Sequence, residues 1–383
     1  MNSNYKRLGD YIRQVDIRNR DLAVNNLLGL SNTKEFIPSI ANTIGTDLGG
    51  YKIVTPRQFS YVPVTSRNGD KITVALYSGE KPCIVSQAYI VFEVINFSEL
   101  LPEYLMMWFR RSEFDRYARF KSHGSARESF DWDEMCEVML PVPTIEEQQK
   151  IVAEYQAIEL RIENNRRLIA THEATAQSIY RHIFVDNIDP ENLPDGWRLE
   201  PLSKFIHSFS KTHAFNKENL IFLNTSDILD HHLLKNEYEP ISEMPGQAKK
   251  SIRKHDLLFS EIRPANKRYL FVRFNAEDFV VSTKLMVLRT NDDSLNPLRF
   301  VHFLTLPETL EKLQHEANGS SGTFPQITFE GNIANKQILI ADDMIESQWN
   351  NFLNKIYGYL WTLNDEVDSL KILSSLILTK LSR

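Results

Sequence analysis

Two stretches of this 383-residue chain carry apolar residues at alternating steps of four and three. The first runs Ile151, Tyr155, Ile158, Ile162, Asn165, Ile169, His172, Ala176, Ile179, Ile183. The second runs Ile345, Trp349, Phe352, Ile356, Tyr359, Leu363, Glu366, Leu370, Leu373, Ile377. That spacing draws one stripe along a helix and is the heptad signature of a coiled coil. Each stripe covers about nine turns, or roughly 50 Å. No proline interrupts either one, and Pro141, Pro143 and Pro190 bracket the first. A stripe this long must be buried against something, and two per chain, separated by globular segments, pair most naturally antiparallel. Asn165, His172 and Glu366 are the polar seam positions expected to fix register. The two seams agree in phase at a shift of 194 or of 201 residues.

The same shift recurs ahead of the helices. Arg7–Ile12 faces Pro201–Ile206 at 194, and Val85–Phe92 faces Val281–Leu288 at 196. Pro102 faces Pro297, and Gly124-Ser125 faces Gly319-Ser320, at 195. Ordered matches at one shift mark a duplicated chain, with halves 1–187 and 188–383 meeting at the turn-rich run Asp189–Gly196. Strand patterns fall on Lys52–Thr55, Phe59–Pro63, Ile72–Leu76 and Ala88–Val94, then on Ile221–Asn224, Asp256–Phe259, Leu270–Phe274 and Leu285–Arg289. A helix is expected over 101–121 and another over 297–316. The fold class is therefore α/β in the mixed, α+β sense. The expected domains are 1–143 and 188–340, with long helices over 144–187 and 341–383.

Composition narrows the chemistry. The 14 glycines include no G-x-G, which excludes the dinucleotide loop. The nearest approach to a phosphate-binding loop, Gly45 to Lys52, has Tyr51 where lysine is needed. No Pro-Pro pair, no His-Glu-x-x-His and no G-x-S-x-G occurs, so amino-methyltransferase, zinc-hydrolase and serine-hydrolase motifs are missing. Cys83 and Cys136 form neither a disulfide framework nor a zinc set. With no apolar leader or 18-residue apolar run, the expectation is a cytoplasmic protein that meets no membrane. No catalytic or metal-binding residue is assigned.

The net charge of -6 discourages bulk coating of nucleic acid, yet local basic stretches stand out. The net charge is +4 between Arg110 and Arg127 and +6 between Lys249 and Arg273. Phosphate attraction is expected from Lys121, Arg127, Lys249, Lys250 and Arg253. Base reading is expected from the loop holding Ser66, Arg67, Asn68 and Lys71 and from its counterpart holding Arg263, Asn266, Lys267 and Arg268, because Arg and Asn read guanine and adenine edges bidentately. A second loop pair offers Ser122 in the first half and Ser320, Ser321 and Thr323 in the second, small hydroxyl residues suited to a backbone contact.

Two runs carry a family resemblance: Gly124–Asp133 (GSARESFDWD) followed by Leu140–Val152 (LPVPTIEEQQKIV), and Lys254–Pro264 (KHDLLFSEIRP). They resemble the DNA-specificity subunit of type I restriction–modification enzymes, over the whole chain. The resemblance implies two target-recognition domains joined by two long antiparallel helices in a pseudo-twofold arrangement. Each domain would read one half of a split duplex target. The subunit would be non-catalytic, directing two methyltransferase subunits and, in the full complex, restriction subunits, with S-adenosylmethionine, ATP and magnesium bound by those partners. The second copy departs from the pattern: Ile338–Trp349 lacks both prolines and the Glu-Gln pair. Two rivals stay open, an assembly scaffold of the same architecture that binds only protein, and a nuclease or transferase with an unrecognised site.

Overall fold

Short runs of buried positions build the first half from brief strands: β1 (Tyr5–Arg7), β2 (Ile12–Val15), β3 (Leu28–Leu30), β4 (Phe36–Pro38), β5 (Lys52–Val54), β6 (Phe59–Tyr61), β7 (Val74–Leu76), β8 (Cys83–Val85) and β9 (Ile90–Val94). Helices α1 (Pro102–Phe109), α2 (Ser112–Lys121) and α3 (Trp132–Cys136) follow, then β10 (Met139–Pro141) and the 40-residue helix α4 (Ile145–Phe184). The structure is a computed structural model describing residues 5–39, 45–66, 71–122, 128–186, 188–291, 295–319 and 325–382. Strands β2, β9, β6 and β7 lie side by side in that order, all antiparallel. Their inner face is aromatic: Phe59 stacks on Phe92 at 4.8 Å, and Phe109 meets both rings edge-on. β1 pairs with β10 and fastens the start of the chain beside the root of α4.

The second half repeats this plan with β11 (Arg198–Pro201), β12 (Ile206–Ser208), β13 (Asn219–Leu223), β14 (Ile228–Leu229), β15 (His232–Leu233), β16 (Glu239–Pro240), β17 (Ala248–Ser251), β18 (Leu257–Ser260), β19 (Tyr269–Phe271), β20 (Phe279–Ser282) and β21 (Leu285–Thr290). Then come α5 (Pro297–Leu304), α6 (Pro307–Asn318), β22 (Gln337–Ile340) and the long α7 (Asp343–Lys380). The order β12-β21-β18-β19 mirrors β2-β9-β6-β7, β11–β22 mirrors β1–β10, and the antiparallel pair β17–β20 mirrors β5–β8. The parallel pairing of β13 with β20 has its counterpart in the first half in a single parallel bridge between Leu27 and Ile84 of β8.

Each expected short helix is in fact two. The first breaks at Arg111, whose extended backbone (ψ 139°) turns its guanidinium onto Trp108. The second breaks before Pro307, which cannot continue a helix but can start one.

By packing, the chain divides into Met1–Asn165 with Glu366–Arg383, and Arg166–Asp365. Within the first unit the two long helices run antiparallel: Arg161 grips Glu366 through two bonds of 2.8 and 3.1 Å, and Ser374 donates to Glu159 at 2.8 Å. Within the second they do so again, Tyr180 against Trp349 and His172 edge-on to Tyr359. The seam of α4 follows its heptads through Ile162, Asn165, Ile169 and Ala176. That of α7 does not. Tyr359 and Leu373 are 46% and 45% exposed, while Leu353 and Leu360 are 0% and 1% exposed, so alternate seam positions move on by one residue while Trp349 and Leu363 stay buried where the heptads place them.

The slip sets the true register. Buried Gln148, Ile162, Asn165, Ile169 and Ala176 correspond to Glu346, Leu360, Leu363, Val367 and Ser374, a shift of 198 rather than 194 or 201. It also explains the missing Glu-Gln pair. Gln148 caps the chain before its helix, accepting from Leu101 N at 2.9 Å and donating to the Glu99 and Pro143 carbonyls at 2.8 and 2.9 Å. Glu346 stands at the matching place, accepting from Ala341 N at 2.9 Å and pairing with the fully buried Arg299 at 3.0 Å. Gln148→Ala should therefore destabilise the first unit by about 2–4 kcal/mol, because three backbone groups lose their partner. Urea unfolding of the two proteins checks this.

Candidate nucleic-acid interface

In the second unit the hairpin between β18 and β19 turns through a single 3-10 loop, Pro264–Asn266, flanked by two residues in the left-handed region, Arg263 (φ 47°) and Lys267 (φ 54°). Neither is glycine, so the surroundings must hold the loop in this costly shape. Gln314 of α6 accepts from Ala265 N at 3.1 Å, and its amide is steadied by Asn318 at 2.8 Å. Arg263 N donates to Pro325 O at 3.1 Å, and Ile262 bridges Gln326. Thus the loop carrying Arg263, Asn266 and Lys267 is fastened to the segment that follows 320–324. Arg263, Asn266 and Lys267 are exposed at its tip; Lys267 lies 3.7 Å from Asp230.

The first unit joins its two candidate loops in the same way. Thr65 N donates to Glu128 O at 2.9 Å, Val64 bridges Ser129, and the Thr65 hydroxyl donates to Ser122 Oγ at 2.9 Å. Ser122 in turn donates to Ala118 O at the end of α2. Ser66 and Lys71 are exposed at the loop's two ends. Arg67, Asn68, Arg127, Ser320, Ser321 and Thr323 lie outside the described residues.

A pair that sequence patterns do not disclose anchors this edge. Lys34, itself at φ 65°, is buried with its ammonium 2.8 Å from Asp115, and it also donates to the Phe109 carbonyl. Asp115 accepts from Ile72 N at 3.2 Å, at the exit of the candidate loop. Burial lowers the Lys34 pKa, and Asp115 opposes that shift.

The two basic stretches come out differently from their net charges. Around α2, acids outside the counted window neutralise the cations: Arg119 pairs with Glu128, Lys121 with Glu134 at 3.2 Å, and Arg110 lies 3.8 Å from Glu159. In the second stretch, Arg268 donates to the Ser226 and Ile228 carbonyls, and Lys250 to Leu285 O at 2.9 Å, with Glu261 at 3.9 Å. Lys249, Arg253, Lys254 and Arg263 are exposed and have no ion-pair partner among the described residues. Arg253 sits at the opposite end of β18 from Arg263. No group of three or more His, Cys, Asp or Glu among the described residues is placed to hold a metal ion. No helix there is long and apolar enough to cross a membrane.

Behind the Arg263 loop lies a titratable network. Asp230 N donates to Lys267 O at 2.8 Å, and Tyr269 donates to Asp230 at 2.7 Å. Glu173 of α4 faces this carboxylate, and burial first, then Asp230, pushes its pKa up to about 7.

Two outcomes follow. Asp115→Ala strands the Lys34 charge and should cost about 3–5 kcal/mol, seen as a lower thermal midpoint of the first unit. Glu173, raised when folded, contributes stability that is full below its ordinary value near 4.5 and lost as pH rises through about 7. Glu173→Gln should therefore unfold at a higher temperature than the parent at pH 8, and the difference should shrink toward pH 5.

Residues 33–172 match the family described as the type I restriction modification DNA specificity domain. The chain is 38% identical over 173 residues to the type I restriction enzyme HindI specificity subunit of Haemophilus influenzae, a match over 45% of this chain and 36% of that protein. It is 21% identical over 303 residues to the MjaIX specificity subunit of Methanocaldococcus jannaschii, over 74% of this chain and 68% of that one. The chain thus spans about a third of the first relative's length and about two thirds of the second's. In fold it is similar to the crystal structure of a type I restriction–modification system S subunit from M. genitalium, with a TM-score of 0.58 at 13% identity, over 100% of this chain and 98% of that one. That likeness bears out the mixed α and β fold. Residues 33–172 are thus the part of the chain that is similar to the type I restriction–modification DNA-specificity family.

Proposed function

We propose that this chain is the non-catalytic DNA-recognition subunit of a type I restriction–modification complex, with one domain reading each half of a split duplex target. The family match over residues 33–172 carries the proposal. The recognition domains are 1–143 and 188–340, and methyltransferase and restriction subunits are the partners. S-adenosylmethionine and ATP chemistry belongs to those partners.

Support from the fold is local. In the first unit the described ends of the two candidate loops are hydrogen-bonded, Thr65 to Ser122 and Glu128, and in the second the loop of Arg263 and Asn266 is fastened to Pro325 and Gln326. Phosphate contacts then position the duplex and base-edge contacts specify it. Base reading falls to Arg67, Asn68, Arg263 and Asn266, and phosphate affinity to Lys71, Lys249, Lys267 and the hydroxyls of Ser66 and Ser122. Arg268, Lys250 and Lys121, held by internal partners, set the shape of that edge.

The test uses the chain co-purified with its methyltransferase. Arg263→Ala should cost about 1–3 kcal/mol of target binding and relax selection at one base pair. Lys249→Gln should weaken all sequences alike and reduce the salt slope by about one. Binding to no DNA at all would leave the assembly scaffold as the reading, and methyl transfer by the isolated chain would overturn the non-catalytic assignment.

A further inference from the structure

The turn that leads into the central strand is built the same way in both units. In the first, Thr55 N donates to the Gln58 side chain at 2.8 Å, and Arg57, at φ 68°, donates its backbone N–H to Tyr77 O at 2.9 Å. In the second, Arg253 N donates to the Asp256 carboxylate at 2.8 Å, and His255, at φ 74°, donates its backbone N–H to Val272 O at 2.7 Å. What surrounds the turn differs. The Arg57 guanidinium lies over the Phe97 ring at 4.2 Å and donates to Glu103 at 3.0 Å, which fills the space. In the second unit the matching space is a groove of about 650 Å3 between the turn, the start of α5 and one face of α7.

Three chemistries meet in it. Arg253 and Lys254 stand at its rim, and the third cation, Arg289, is already taken by buried Asp256 through two bonds of 2.8 Å. Along one wall the aromatic rings form a ladder: His255 stacks on Phe271 at 6.0 Å and Phe271 on Trp361 at 6.3 Å. From α7, Asn350 lines the groove, and its Oδ1 is buried with no hydrogen-bond partner. A buried acceptor of this kind calls for a donor. Rim cations suit a phosphate, a stacked wall suits a planar ring, and an unmatched acceptor suits the amino group of a base. The volume lies within the roughly 300–1,000 Å3 of small-ligand pockets.

We propose that this groove is a nucleotide-binding site of the second unit, with the phosphate on Arg253 and Lys254, the base against the His255–Phe271–Trp361 ladder, and Asn350 accepting from the base. It lies at the far end of β18 from Arg263 and is separate from the edge assigned to target reading.

Titration calorimetry of the full chain with adenosine 5′-monophosphate and with inorganic phosphate tests it. The nucleotide should bind saturably and more tightly than phosphate. Arg253→Gln together with Lys254→Gln, both at exposed positions, should weaken it by about tenfold or more. Trp361→Leu should remove the advantage of nucleotide over phosphate; if that variant misfolds, Asn350→Asp, which adds a negative charge beside the ligand, should weaken the nucleotide instead. Competition by duplex DNA would identify a DNA strand as the source of the nucleotide, and its absence a free nucleotide; both uphold the site. No saturable nucleotide binding up to ~10 mM, binding untouched by the double substitution, or occupation by an acidic peptide but by no nucleotide overturns it. Because the readout is ligand binding to the chain alone, it is independent of whether the chain reads a DNA target.

Discussion

A helix of about forty residues is useful only if its root is rigid, and the root here is one buried polar side chain in its first turn. Gln148 satisfies two carbonyls and one amide of the preceding loops, and Glu346 at the matching place satisfies the Ala341 amide and the buried Arg299. A buried polar group left unmatched is costly, so each helix has one low-energy way to leave its domain. β1–β10 and β11–β22 close over the same roots, bringing each domain's sheet and its helix into one packed body. Two different side chains solve one problem, which is why the second copy could lose the Glu-Gln pair and keep the fold.

Much of the architecture was legible in the pattern of apolar positions. The long helices, the duplicated strand order and the recurrence of the candidate loops in both halves followed from periodicity and the repeat, whereas the bonding of the two loops to each other within a unit did not. The register of α7 did not, because Phe352, Leu353, Tyr359, Leu360, Leu373 and Ser374 offer two adjacent stripes, and only packing decides which is buried. The breaks at Arg111 and before Pro307 were hidden for a similar reason: both flanks of each break keep a helical pattern, and a two-residue interruption barely disturbs it.

Charge was the least readable quantity. Counting within a window missed Glu128, Glu134 and Glu159, which return from other elements to neutralise the cations around α2. The pair Lys34–Asp115 lies far apart in sequence and carries no motif, yet it holds the strand that leaves the first unit's candidate loop. Equally silent was Gln314, whose side chain supports the strained Arg263–Lys267 turn from a helix face that reads as ordinary surface. Net charge, then, describes the chain, and ion-pair geometry decides which cations remain available to a phosphate.

If one edge of each domain reads one half of a target, the two halves must appear as separate short sequences in the DNA that the complex modifies. Mapping methylated bases in DNA from cells that make this chain with its methyltransferase tests that most directly. The account predicts a split motif, two specified segments at a fixed unspecified gap. A single continuous motif, or methylation without sequence preference, would contradict it.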